Sequence, residues 1–142
     1  MSTGPLRARE LDPHSFIQLI EDLVEKDAIR GEVYVRRALS ALYFSLFNYW
    51  MAKKYDRGER GLGPKQDSFK YGDFHGELLD KALDAQIVYL FSLRVASDHY
   101  ALNPTIIKIY NGGRIKGRRY SYITIDSLKR AIEAAKEILA HI

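Results

Sequence analysis

The chain has 142 residues, 46% of them hydrophobic, and no cysteine. That length suits a single domain with a real core, and the missing thiols exclude disulfides, thiolate catalysis and cysteine-based zinc sites. The net charge is +4, but without Lys108, Arg114, Lys116, Arg118 and Arg119 it would be −1, and no acidic residue stands between Asp98 and Asp126. The basic character is therefore local, which fits a nucleic-acid contact better than a general solubility device. A solvated loop is the plain alternative. The absence of cysteine also agrees with a cytoplasmic setting. Residues 1–11 contain no apolar core, so they read as a flexible tail rather than a signal peptide.

Asp12 and Pro13 form a helix start, with the carboxylate as cap and proline at the first helical position. Phe16, Ile17, Leu19, Ile20, Leu23 and Val24 then follow helical spacing to about residue 26 or 28, and Gly31 breaks the run. Residues 33–52 are the centre of the chain. From Ala38 onward only Ser40, Ser45 and Asn48 are polar, so apolar side chains fall on every helical face. Such a helix belongs in the middle of a bundle. It is too short and interrupted for a membrane span, which needs ~20 apolar residues. Tyr43, Phe44, Phe47 and Trp50 exceed what one bundle core usually hides, so some of them are expected to meet a second subunit.

Gly58, Gly61, Gly63 and Pro64 among charges mark an exposed loop over 57–68. A shorter helix is expected over 73–83, and another over 82–101 that ends before Asn103-Pro104. The sequence leaves open whether 83–85 bends or continues the preceding helix. Residues 105–123 then lose the helical period. They are β-branched and aromatic around Asn111-Gly112-Gly113, a hairpin signal. Thr124 caps a last helix to residue 140, with an apolar stripe of Ile125, Leu128, Ile132, Ala135, Ile138 and Leu139. The expected fold is an all-α, antiparallel bundle of about five helices. It forms a single domain, with a small extended or β-hairpin insertion, residues 104–123, before the last helix.

Arg94 and His99 stand five residues apart within the fourth of these helices. Together they resemble the Arg-x4–6-His motif of the HEPN family. The run Leu42-Tyr43-Phe44-Ser45-Leu46-Phe47-Asn48 is similar to the aromatic-rich central helix of that family. Leu93-Arg94-Val95-Ala96-Ser97-Asp98-His99-Tyr100 resembles a run found in its small prokaryotic members. The likeness covers roughly residues 31–141, apart from the insertion.

It implies a homodimer in which the Arg94 and His99 pairs of two subunits cut single-stranded RNA without a metal or cofactor, as a toxin. A small nucleotidyltransferase antitoxin is then the implied partner. Chemically, a neutral histidine can take the proton of a ribose 2′-hydroxyl. An arginine can hold the phosphate on which charge develops. The alternative is a non-catalytic module that binds a nucleotide or such a nucleotidyltransferase.

Helical geometry adds a plainer possibility. Positions i and i+5 point roughly 140° apart, whereas Asp98, at i+4, faces Arg94 and could simply pair with it or orient the catalytic groups. Lys108, Arg114, Lys116, Arg118, Arg119 and Tyr120 interleave cations with aromatics, the pattern of single-strand RNA binding. Asp73, His75 and Glu77 show no metal-ligand spacing and read as a polar helix start.

Overall fold

The computed structural model describes residues 8–59, 69–104, 106–111, 114–120 and 123–142; for residues 8, 9, 111 and 114–120 it describes the backbone alone. Among the described residues five α-helices carry the fold: α1 His14–Glu25, α2 Glu32–Asp56, α3 Tyr71–Asp80, α4 Asp84–His99 and α5 Ile125–Leu139. A two-stranded antiparallel hairpin, β1 Ile106–Asn111 and β2 Arg114–Tyr120, lies between α4 and α5. The expected all-α bundle with an insertion before the last helix is what forms. No helix among the described residues is long and apolar enough to cross a membrane.

Helix α2 runs through the centre. Leu39, Leu42, Tyr43 and Leu46 are all 0% exposed. The stripe on α5 (Leu128, Ile132, Ala135, Ile138) closes on it and on α4, and α1, with Ile17 and Ile20 buried, packs against α5. Each buried Leu or Ile contributes roughly 1.5–3 kcal/mol of transfer free energy. The start of α2 meets the end of α4, so these two helices are antiparallel. The Arg36 guanidinium donates to the carbonyls of Ala96, Ser97 and Tyr100, and that of Arg37 donates to Ser97. Two cations thus hold the carbonyls at the negative end of the α4 dipole, the unpaired carbonyl of Ser97 among them.

Three helices end in the same way. After α1, α2 and α3 the chain turns left-handed at Asp27 (φ 54°), Gly58 (φ 80°) and Ala82 (φ 59°). In each case the next residue's amide reaches five residues back: Ala28 to Leu23, Glu59 to Lys54 and Leu83 to Leu78. These are Schellman caps. They correct several boundaries. Helix α1 stops before Gly31 because Asp27 turns the chain. Helix α3 occupies Tyr71–Asp80 rather than 73–83, and Ala82 separates it from α4. Residues 8–11, expected as part of a loose tail, form one 3-10 turn, Ala8–Leu11, packed against α2; residues 1–7 lie outside the described residues.

The central aromatics also find a different use from the one expected. Tyr43, Phe47 and Trp50 are 0%, 6% and 3% exposed within a single chain. Helix α3 and Phe69, two residues before it, supply their partners. Phe47 makes tilted contacts with Tyr71 and Phe74, and Trp50 meets Phe69 and Phe74, at centroid separations of 4.9–5.6 Å. The surplus of rings is absorbed by this short helix and gives no reason of its own for a second subunit.

A lone hairpin is marginal in water; here the bundle anchors it. Ile107 is buried against α4, the Tyr110 amide donates to Ser92 Oγ at 3.0 Å, and the Lys108 amide donates to the Tyr100 hydroxyl. Pairing begins at Asn111↔Arg114, earlier than the second apolar run. It continues through Lys108↔Arg118 to Ile106↔Tyr120, with a bulge at Ile109/Tyr110. The Asn103 side-chain amide clips the base of the excursion by bonding both backbone groups of Ile123, at 3.0 and 2.8 Å.

Candidate functional site

Arg94 sits in the last half of α4 and is only 8% exposed. Its guanidinium carbon lies 4.8–5.7 Å from the ring centres of Tyr43, Phe44, Tyr71 and Phe91, within cation–π range of each. The Tyr71 hydroxyl accepts from it at 3.3 Å. Its Nε lies 3.4 Å from the Asp98 carboxylate, one helical turn on. Burial of a guanidinium requires such a counter-charge, and i,i+4 spacing places one there.

Asp98 gathers more than Arg94. Its carboxylate accepts from the Arg37 guanidinium and from Ser40 Oγ, each at 3.1 Å, both reaching across from α2. With a side chain 18% exposed, it is the acceptor hub between two helices rather than a surface carboxylate. Arg37 remains 59% exposed on its far side.

His99 ends α4 and takes no part in the hydrogen bonds and ion pairs of this cluster. It is exposed, and no hydrogen bond or ion pair engages it among the described residues. Arg94 and His99 thus share a motif-like spacing but not an environment: one is buried and the other exposed. The exposed guanidinium of the hydrogen-bonded cluster is that of Arg37, which holds Asp98, the residue before His99 in sequence.

The histidine that does sit beside Arg94 is His75. It is 3% exposed and shares a 2.8 Å hydrogen bond, through Nε2, with the Tyr43 hydroxyl. Rings of Phe74 and Phe91 cover it. Burial, reinforced by the nearby charge of Arg94, lowers its pKa to about 4. The same burial pushes the Tyr43 hydroxyl up. The sequence did contain a signal for this placement. His75 shares a helical face with Leu78, three residues on, which is 1% exposed.

Its neighbours Asp73 and Glu77 turn elsewhere. Asp73 accepts from the Lys70 amide at 3.0 Å, and Glu77 accepts from Trp50 Nε1 at 2.7 Å and pairs with Lys54. The three side chains serve three separate purposes, and no cluster of three metal-binding side chains forms among the described residues.

The remaining sequence candidates lie on the hairpin. Lys108 is half-buried on β1. Arg114, Lys116, Arg118, Arg119 and Tyr120 occupy β2, with Lys108 and Arg118 directly paired in register. The side chains of those β2 positions lie outside the described residues. The acid-free stretch thus includes a two-stranded ribbon laid on α4, whose Tyr110 ring packs against Phe91, one of the four rings around Arg94. No protein family, curated protein or solved structure matches this chain.

Proposed function

We propose that this chain is a HEPN-like helical module that binds single-stranded RNA through its basic hairpin. The observation that carries this reading is the burial of Arg94. Held among four rings and tied to Asp98, its guanidinium supports the junction of α2, α3 and α4 and cannot reach a phosphate without leaving that box. The cations free of acidic neighbours in sequence are on β1 and β2, beside tyrosines whose faces suit bases.

Neutralising Arg114, Arg118 and Arg119 together is expected to weaken binding of a single-stranded RNA and to reduce the slope of log K against log salt. Each lost phosphate contact should reduce that slope by about 0.7. Unchanged affinity across a salt titration by fluorescence anisotropy returns the segment to a solvated ribbon.

A second reading is favoured by one observation, the exposure of His99 at the end of α4. In that reading two copies bring their α4 ends together, and the chain is a toxin-like endoribonuclease restrained by a nucleotidyltransferase partner. His99 would take the proton of the 2′-hydroxyl, leaving a 2′,3′-cyclic phosphate, and DNA would be immune. The His99→Ala protein should then lose cleavage by ~10²–10⁴ with an unchanged melting temperature. Absence of cleavage by the unaltered protein on varied RNAs removes this reading and leaves the binding module standing.

A further inference from the structure

A cavity of about 280 Å³ lies between α4 and β1, walled by Val88, Leu93, Ile107 and Ile109, with the hydroxyl-bearing Tyr89 and Ser92. It shares Ala85 and Tyr89 with a neighbouring cleft of about 390 Å³, which runs out between α4 and α5 past Gln86, Arg130, Glu133 and Glu137. The inner part is apolar and just below the ~300–1,000 Å³ of ordinary ligand pockets. That space suits one planar ring system rather than a whole nucleotide.

The polar groups of the cleft are mostly acceptors. Gln86 Oε1 is buried and has no hydrogen-bond partner among the described residues, while its Nε2 is held by Glu137. A buried acceptor left unpaired costs free energy that a ligand donor would recover. The Glu133 and Glu137 carboxylates also accept only, and Glu133 is 3.5 Å from Lys136 Nζ. Arg130 is the one cation on the cleft wall among the described residues and is exposed.

We propose that this cavity and cleft bind a guanine-type base. The ring would lie in the apolar part against Tyr89, with its edge toward Gln86 and the carboxylates. Guanine presents adjacent N–H donors, at N1 and the 2-amino group, on one edge, which complements a row of acceptors. Arg130 stands where a phosphate attached to the base would emerge. The carboxylates disfavour phosphate inside the cleft, so the ring enters and the anion stays outside. The base comes either from a free mononucleotide or from an RNA strand lying on the hairpin. Ile107 and Ile109 wall the cavity, while Lys108 between them alternates to the opposite face of β1. An RNA base would therefore swing round the ribbon edge to enter.

Calorimetric titration of the full chain with guanosine, inosine and uridine 5′-monophosphates tests the site. GMP is expected to bind about tenfold tighter than UMP, with IMP, which lacks the 2-amino donor, between them. A uridine 12-mer with and without one central guanosine separates the sources. Preference for the guanosine-bearing strand without GMP binding assigns the base to RNA. GMP binding without strand preference assigns it to the mononucleotide.

Ala85→Phe fills the shared wall from an exposed position and should abolish the preference in either arm. Gln86→Leu should remove the difference between GMP and IMP while leaving the cavity open. Equal affinity for GMP and UMP together with equal affinity for both 12-mers overturns the proposal, as does a preference that survives Ala85→Phe. If the 12-mers bind equally and GMP is ignored, the base site fails and the RNA reading stands. If no strand binds at any salt concentration but GMP does, the RNA reading fails and the base site stands.

Discussion

Replacing Asp98 with alanine is expected to destabilise the fold by about 3 kcal/mol, measured as the shift in urea midpoint at constant m. An exposed i,i+4 ion pair would lose only ~0.3–0.5 kcal/mol. The difference follows from burial and partner number. Asp98 is 18% exposed and Arg94 10% at their side chains, so the substitution leaves a guanidinium in an aromatic box with no counter-charge. It also strips the Ser40 hydroxyl of its acceptor and leaves the Arg37 guanidinium with the Ser97 carbonyl alone. The figure sits at the low end for a broken buried pair, because four ring faces and the Tyr71 hydroxyl still solvate Arg94. Arg37→Ala should cost far less, since that side chain is largely in water. Replacing Arg94 and Asp98 together by leucine should recover much of the loss, as buried pairs often exchange for apolar residues at little cost. A loss below ~0.5 kcal/mol for Asp98→Ala would reduce the cluster to an ordinary surface pair.

Acid should unfold the protein earlier than its carboxylates alone require, through His75. Its folded pKa, about 4, lies below the ~6.5 of an unfolded chain. Between these values the unfolded state binds the extra proton, so stability from this group is complete above pH ~6.5. It falls as the pH drops toward 4 and stops changing below that. The interval corresponds to about 3 kcal/mol at ~1.4 kcal/mol per pH unit. Urea titrations between pH 7 and 4 should show that slope, and His75→Phe paired with Tyr43→Phe should remove it. The double change keeps ring volume and leaves no orphaned hydroxyl. An unaltered slope in the double variant would assign the acid sensitivity to the carboxylates.

Much of this architecture is visible in amino-acid order because its elements are regular. The stripe on α5 and the all-round apolar α2 each announce their helix, and Asn111-Gly112-Gly113 announces a hairpin. The helix ends are less legible. Asp27 and Ala82 adopt left-handed geometry without glycine, and the demand comes from the next helix docking rather than from the residue itself. Arg94 and Asp98 could be paired from spacing alone. That the pair is buried depends on Tyr71 and Phe44 closing over it, and that Asp98 is shared depends on Arg37 and Ser40, some sixty positions away. No local pattern encodes those distances. Arg37 reads as a flanking charge beside the apolar run, although its neighbour Arg36 and it jointly hold the end of α4.

The clip between Asn103 and Ile123 has a bearing on engineering. The two ends of the excursion meet as a hydrogen-bonded pair, so the helices around them are already joined at that point. Lengthening a loop whose ends are fixed adds only ~0.6 kcal/mol of closure entropy per doubling. Closure therefore places little limit on the length of what lies between these two residues, whereas Ile107 and the Tyr110 amide tie β1 to α4. The joint and β1 form the fixed part of the excursion, and the turn between the strands is where residues can be added or exchanged at little cost to α1 to α5.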